Sequence, residues 1–363
     1  MKILHVLNSL LPSGAETMLK TSAEYWGVDL EKHILATSSD IGPYAIELEN
    51  AGYIIHHISA NNSFKQHYKV MKFIKNGKFD IVHVHTEGQA LYYELDAKLG
   101  SAKKVIRTVH NVFSFNGLLR IRRTITRFLG RIIGVKHIAI SQSVYENEKK
   151  MFYNTCNAIV NNWYDETIFN FTSEETKREA RAKLGISLDE FCIVSVGNCN
   201  IVKNHMSILR ALVELKKRNH KFVYLHVGKG ALEGEEKEFT LKNDLQENVR
   251  FIGFENPLTY LRAADLYIMP SLYEGVGIAA LEAIGTGIPV LLTNVAGLKD
   301  FKEHAFDNVV YCELDNDSIK NGILDCIDSF KKEKYTNSSK QVEEVQKIYG
   351  IKQGVKGYLK FYK

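Results

Sequence analysis

LYIMPSLYEGVGIAALEAIGTGIPVLLTNVAG, from Leu266 to Gly297, sets two short apolar runs around a glycine-rich loop and a helix-forming stretch. The runs Leu266–Met269 and Pro289–Thr293 are continuously apolar, the pattern of strands covered by helices on both faces. Helical character begins near Gly277 and continues through Ala283. The same alternation extends outward in both directions. In the second half it recurs at Phe191–Gly197, Phe222–Gly228, Val249–Ile252 and Val309–Cys312. In the first half it recurs at Lys2–Leu7, His33–Thr37, Tyr53–Ile58, Asp80–His85, Val105–His110 and His137–Ser141. Two successive series of alternating strand and helix predict an α/β chain with two doubly wound parallel sheets. The polar stretch from Asn161 to Leu188, with EETKREARAKL as an exposed helix, separates them. This divides the chain into residues 1–165, 166–335 and a helical tail, 336–363, expected to cross back to the first domain.

The 363 residues suit two domains, and 45% hydrophobic with 25% charged residues excludes disordered, collagen-like and coiled-coil classes. Five cysteines, none spaced CxxC, in a chain able to bury large cores predict free thiols in a reducing compartment and no structural zinc. The apolar start is broken by His5, Asn8 and Ser9, which argues against a secretory leader. No apolar run reaches the length of a membrane span. The net charge of +5 is unevenly placed. Ala97 to Tyr145 contains no Asp or Glu and ten Lys and Arg, so the positive excess lies wholly in this window.

Ligands of doubly wound sheets sit beyond the carboxyl ends of the strands, so the loops there should carry the chemistry, in a cleft between the two domains. At the Gly277 helix start, free N–H groups and the helix dipole form an anion site. Glu274 and Glu282 bracket that start eight residues apart. Eight helical residues rise about 12 Å, whereas glycosidase carboxyl pairs stand about 5–9.5 Å apart. The pair therefore reads as a grip on two ends of a long ligand. In VSVGNCNIVKNH, the loop after Gly197 delivers Lys203, whose ammonium can neutralise a diphosphate. Asn204 and His205 read as capping the helix that follows. Gly14 follows the first strand and opens a helix, where a backbone can approach a phosphate closely. His110 ends the fifth strand, where an imidazole can hydrogen-bond a ligand hydroxyl or share a proton near neutral pH. His83 and His85 alternate on one strand without a third ligand of suitable spacing, so no metal is expected there.

The Pro270–Gly297 segment resembles the spaced double-glutamate motif of the family 4 glycosyltransferases, and the resemblance extends over essentially the whole chain. It implies the GT-B architecture, two Rossmann-like domains facing a cleft, and retention of configuration. It further implies that Glu274 meets the donor sugar, Glu282 the ribose, and the amides of Gly277 and Ile278 the sugar and diphosphate, with His110 near the transferred sugar. The chain departs from the family pattern at Ser13, at Gly285 (usually Ala), at Ala296 (usually Gly) and at Asn198. The family places an arginine at the last position, and asparagine cannot supply its charge or fork.

Two decoys are set aside. Gly228-Lys229-Gly230 lacks the third glycine of a dinucleotide fingerprint and reads as a strand-to-helix turn. Asp315-Asn316-Asp317 reads as a helix cap supplied by Asp317, not a metal motif. Within the basic window, Arg120, Arg123, Arg127 and Arg131 recur on one face of GLLRIRRTITRFLGRIIGV, with Leu118, Ile121, Ile125, Phe128, Leu129 and Ile132 on another. Those arginines are expected to meet an anionic membrane or the acceptor; no nucleic-acid motif accompanies them.

The combined expectation is a retaining, hexosyltransferase-type glycosyltransferase, cytoplasmic and peripheral on the inner face of a bacterial plasma membrane. It would use a nucleotide-diphosphate sugar, expected to be a UDP-sugar, and a glycan or lipid-linked acceptor of surface polysaccharide synthesis. His110 and Glu274 would be catalytic; Gly14, Asn198, Lys203, Gly277, Ile278 and Glu282 would bind donor; no metal or other cofactor is required. Two alternatives stand beside it. A sugar-nucleotide epimerase would need acid and base carboxylates that the sequence does not display. A catalytically silent sugar-nucleotide-binding partner is kept open by Asn198.

Overall fold

Every pairing between named strands in the computed structural model is parallel, and the strands fall into two sheets. Residues 1–60, 62–304, 306–331 and 337–363 are described. The chain splits into two units, Met1–Trp163 with Ile351–Lys363, and Tyr164–Gly350.

In the first unit the strands are β1 (Lys2–Leu7), β2 (Glu31–Ala36), β3 (Ile54–His57), β4 (Ile81–Val84), β5 (Lys104–Val109), β6 (Lys136–Ala139) and β7 (Ala158–Ile159). Their order is β3-β2-β1-β4-β5-β6-β7. The helices are α1 (Gly14–Ser22), α2 (Ala45–Asn50), α3 (Ser63–Gly77), α4 (Ala90–Leu99), α5 (Gly117–Ile132) and α6 (Gln142–Phe152). The second unit contains α7 (Glu174–Leu184), β8 (Phe191–Val196), α8 (His205–Lys217), β9 (Phe222–Val227), α9 (Glu233–Lys242), β10 (Val249–Gly253) and α10 (Leu258–Ala263). It continues with β11 (Leu266–Met269), α11 (Ile278–Gly285), β12 (Val290–Thr293), β13 (Val309–Cys312), α12 (Asn316–Lys331) and α13 (Ser339–Tyr349). Its strand order is β10-β9-β8-β11-β12-β13. Strand order reverses between β1 and β4 and between β8 and β11, and these switch points are where doubly wound sheets bind ligands. The two-residue β7 was not expected from the sequence, being too short to show a pattern.

The helical tail divides differently from the expected 336–363 segment, whose start lies outside the described residues. Gly350 adopts an extended conformation and separates α13 from α14 (Ile351–Tyr362). Only α14 joins the first unit. Its Tyr358 and Tyr362 pack with Trp26 and Trp163, and the bare Cα of Gly354 admits the Trp163 ring, which a Cβ would meet at 1.9 Å. Helix α13 stays with the second unit. Gln341 donates to the carbonyls of Ile284 and Ile288 and accepts from the amide of Asn308, so α13 braces the far end of α11. Asp315, not Asp317, accepts the amide of Ser318 at the start of α12.

Two helices face opposite to their expected orientation. Lys177 and Arg181 of α7 turn inward to the buried carboxylate of Asp265, at 2.6 and 3.0 Å. On α5 the inversion is larger. Arg127 is fully buried, with a two-point pairing to Glu148 at 2.6 and 2.7 Å, a contact to Glu87 at 3.1 Å, and its guanidinium over Phe152. Arg123 donates to the carbonyls of Glu87 and Gly88, and Arg120 to that of Met151. Arg107 joins the same group through Glu87 and Glu94. Gly130 completes the fit, because a Cβ there would stand 2.5 Å from the Glu94 carboxylate. The expected arginine surface is thus corrected: of the four named, Arg131 alone is freely exposed, while Arg127 is interior. What faces outward is the apolar stripe, with Leu118 84%, Phe128 63% and Ile132 63% exposed, flanked by Arg122 and Arg131.

Removing one member of a buried charge pair leaves the other uncompensated, typically costing about 3–5 kcal/mol. Arg127→Ala should therefore lower the urea midpoint by that equivalent, whereas Arg122→Ala should stay within about 0.5 kcal/mol of the parent.

Candidate active site

In the second unit the loops after β8 and β11 are tied together before any ligand arrives. The amide of Leu272 donates to the carbonyl of Val202, and the Asn204 side chain donates to that of Pro270. Asn204 thus links two loops; its side chain does not cap α8, although it stands at the N-cap in the left-handed region. The Lys203 side chain runs over Gly197, where a Cβ would lie 3.3 Å from it, and its Nζ pairs with Glu274 Oε1 at 2.7 Å. Ser271 Oγ donates to the same oxygen at 2.7 Å. Two sequence-selected residues, 71 positions apart, are therefore in direct contact. Asn198 lies exposed on the same loop.

Backbone geometry fixes Glu274. Its amide donates to Ala296, and Gly297, at φ +84°, lies so close that a Cβ would stand 2.3 Å from the Glu274 carbonyl oxygen. Gly277 is left-handed at φ +80° and starts α11, directing the first amides of that helix, Ile278 among them, out of its end. Gly285 is matched by Tyr164, whose ring a Cβ would meet at 2.3 Å. The turn at Gly228-Lys229-Gly230 is a packing element: Gly228 abuts the Gly197 carbonyl and Gly230 that of Cys199.

Glu282 lies within α11, and its carboxyl forms no hydrogen bond among the described residues. Burial pushes its pKa up to about 8, and the nearby Asp165 adds to the shift. At neutral pH the group carries a proton and can donate as well as accept.

In the first unit, His110 heads a line of imidazoles. Its Nε2 is 2.8 Å from His85 Nδ1, and His85 Nε2 is 3.0 Å from His5 Nδ1. Burial lowers His110 to about 4 and His5 to about 3, so the rings are neutral at physiological pH. The expectation that His110 shares a proton near neutral pH is corrected accordingly. One proton per ring gives the line two polarities, which leave the unpartnered His110 Nδ1 as acceptor or donor. His83 is occupied by Tyr362 and Thr108, both at 2.7 Å, and anchors α14. With both nitrogens of His83 and His85 engaged, the His5–His83–His85 group has no set of free lone pairs for a metal. Gly14 is the exposed first residue of α1.

A feature missed in the sequence is an open pocket of about 540 Å³ at the carboxyl ends of the first-unit strands. Asn8, Thr37, Ser38, Ser39, Gln66 and Gln89 line it, a hydroxyl and amide surface suited to a polyol. Small polar residues directly after strands were its only trace in the sequence.

Residues 12–197 match the family described as Glycosyltransferase Family 4, and residues 176–343 match Glycosyl transferases group 1. The UDP-Gal:alpha-D-GlcNAc-diphosphoundecaprenol alpha-1,3-galactosyltransferase of Escherichia coli is 26% identical over 74% of this chain and 71% of its own. The capsular polysaccharide biosynthesis glycosyltransferase CapH of Staphylococcus aureus is 24% identical over 86% of this chain and 87% of its own. Among solved structures, Anabaena HepE in complex with UDP superposes with a TM-score of 0.85, covering 100% of this chain and 99% of that one at 18% identity. The two doubly wound units are those of the GT-B class of sugar-transferring proteins. The chain belongs to glycosyltransferase family 4.

A carboxyl raised in the folded state stabilises less as pH climbs, because the unfolded chain releases the proton from about 4.5 and the folded one only near 8. Glu282→Gln, which mimics the protonated form, should match the parent's melting temperature near pH 4.5. By pH 8 the linkage amounts to about 4 kcal/mol, so the variant should exceed the parent by about 5–10 °C in a thermal scan.

Proposed function

We propose that this glycosyltransferase moves a hexose, with retention, from a UDP-sugar to a glycan or lipid-linked acceptor in the synthesis of a bacterial surface polysaccharide. The observation that carries the reading is the Lys203–Glu274 pair placed beside the Gly277 end of α11, with the protonated Glu282 further along the same helix. HepE has been solved with UDP and with UDP-glucose, and the Escherichia coli relative is named for a UDP-Gal donor and a diphosphoundecaprenol-linked acceptor.

The donor's diphosphate would compete with Glu274 for the Lys203 ammonium and meet the amides of Gly277 and Ile278, with Asn198 within the same loop as a neutral contact. Released from Lys203, the Glu274 carboxylate accepts from sugar hydroxyls. Glu282, neutral beforehand, binds the vicinal hydroxyls of the ribose without first shedding a hydration shell. As the glycosidic bond to the diphosphate breaks, Lys203 and the helix end stabilise the negative charge of the leaving group. The reading asks no metal for this step. In the first unit, His110 offers one neutral hydrogen bond to a sugar, Gly14 opens a helix end toward phosphate, and the hydroxyl-lined pocket receives a glycan acceptor.

Association with the inner face of the plasma membrane forms part of the reading, but through different atoms than the arginine face first suggested. Burying large apolar side chains is worth about 1.5–3 kcal/mol each, and a basic residue at an anionic surface about 1 kcal/mol. The outward Leu118, Ile121, Ile125, Phe128 and Ile132 therefore dominate, and Arg122 and Arg131 add a salt-dependent share.

Three measurements test these assignments. Glu282→Ala should weaken UDP binding in calorimetry by at least tenfold, whereas Glu274→Ala should mainly lower turnover; equal binding and activity in both variants would remove the site. UDP released only in the presence of acceptor supports transfer, a new sugar isomer supports an epimerase, and binding without turnover a silent partner. In sedimentation with phosphatidylglycerol vesicles, Ile125→Ser with Phe128→Ser should abolish binding and Arg122→Gln with Arg131→Gln should weaken it at low salt. Unchanged sedimentation of both double variants would rule out the membrane surface.

A further inference from the structure

Beneath the loop that carries Lys203 lies a second chemical cluster that the transfer reaction does not use. Cys199 sits in that loop, His205 opens α8, His226 is on β9 and Glu236 is on α9; all four are buried. Each offers one ligand atom, and these atoms all lie within 4.8 Å of one another. Cys199 Sγ is 3.5 Å from His226 Nε2, His205 Nδ1 is 3.6 Å from Glu236 Oε1, and His226 Nδ1 is 3.4 Å from Glu236 Oε2. The last two are too long for good hydrogen bonds. They fit the edges of a tetrahedron around an ion bound at about 2.0–2.3 Å.

We propose that Cys199, His205, His226 and Glu236 form a site for a divalent transition-metal ion, with zinc the best match. Three of the donor atoms, His205 Nδ1, His226 Nδ1 and Glu236 Oε2, are buried without any hydrogen-bond partner. Leaving each so costs about 1–3 kcal/mol, and an ion taking all three lone pairs removes that cost. His226 already has the orientation of a ligand, because its Nε2–H points to the Gly197 carbonyl at 3.2 Å and leaves Nδ1 as the lone pair. A backbone acceptor behind the ligating ring is the usual support of a metal-bound histidine. The charges balance as well, since a thiolate and a carboxylate neutralise a divalent ion in an interior that tolerates no excess charge. On binding, the Cys199 thiol gives its proton to solvent and its sulfur lone pair to the metal. An open groove of about 500 Å³, lined in part by Asn200, Asn204, His205 and Glu236, provides the entry path.

The four ligands come from four different elements, so the ion would staple the loop between Cys199 and His205 to β9 and α9. That is a structural role, independent of the transfer reaction. It also explains why cysteine spacing predicted no zinc: only one ligand is a cysteine.

The test uses the full chain, stripped with chelator and reloaded with Co²⁺ or Zn²⁺ alone. One equivalent of Co²⁺ should give the intense visible bands of a four-coordinate ion and a thiolate-to-cobalt band in the near ultraviolet. Zn²⁺ should displace it and slow hydrogen exchange across residues 199–205. Cys199→Ser should lose the thiolate band, and Glu236→Gln should weaken Co²⁺ binding at least tenfold, each variant matching the stripped parent in circular dichroism. Absence of the cobalt bands in the parent, or their persistence unchanged in both variants, would overturn the proposal. If a variant fails to fold, the parent's thiolate band and exchange protection decide alone.

Discussion

The charge group built on Arg127 governs what the first unit can present to its surroundings. A guanidinium taken fully out of water persists only if its donors are met, and here Glu148 meets two of them, Glu87 another and the Phe152 ring its face. Asn154 donates to Glu148 at 2.7 Å, and Arg107 with Glu94 extends the network to β5 and α4. Once the arginine-bearing side of α5 is committed to the interior, the opposite side has no choice but to face outward, and that side is leucine, isoleucine and phenylalanine. The apolar stripe is thus a consequence of buried charge. A helix of the same composition with its hydrophobic face inward would satisfy area burial better, yet it would leave Glu148 without a counter-charge and Arg107 alone against both Glu87 and Glu94.

The same dependence on a few fixed contacts recurs in the second unit. Its six-stranded parallel sheet places all its β-to-α loops at one edge, and the order reversal at β8 and β11 opens the crevice between two of those loops. Whether the crevice is usable depends on how tightly its walls approach. Gly297 against the Glu274 carbonyl, Gly228 against Gly197 and Gly230 against Cys199 are all approaches that a single methyl group would prevent. Gly285 and Tyr164 extend the pattern to the floor of α11. There an aromatic ring fills the space that the missing Cβ leaves.

Most of this architecture could be read from the sequence. Twelve strands were predicted within one or two residues of their positions, because buried parallel strands leave continuous apolar runs. Lys203, Glu274 and Gly277 stood out because they lie in two loops beside glycines, and Glu282 because it lies on the helix that follows. The misreadings share a cause. Helices α5 and α7 were oriented by assuming that charge faces water, a rule that fails where a carboxylate distant in sequence, Glu148 or Asp265, waits inside. The pairing of Lys203 with Glu274, the imidazole line from His5 to His110 and the cluster of Cys199 with Glu236 were invisible for a related reason. Each joins residues on or beside different strands, and neither spacing nor composition records which strands are neighbours.

In the proposed reading, these contacts also determine how the donor site behaves before the donor arrives. Lys203 is neutralised by Glu274, and Glu282 keeps its proton. A diphosphate therefore enters a region of little net charge and must displace Glu274 from the ammonium to gain its own pairing. The exchange is nearly balanced for a bare anion such as phosphate, which replaces the Glu274 carboxylate contact on Lys203 by one of its own. It becomes favourable when the ligand also carries a sugar that engages the released Glu274 and a ribose that engages Glu282. Selectivity for the whole nucleotide sugar over its fragments would then follow from the pre-existing salt bridge, without any contact made to phosphate alone. The neutral side chain of Asn198 is in keeping with that selectivity, since a second permanent cation would attract phosphate whatever it was attached to.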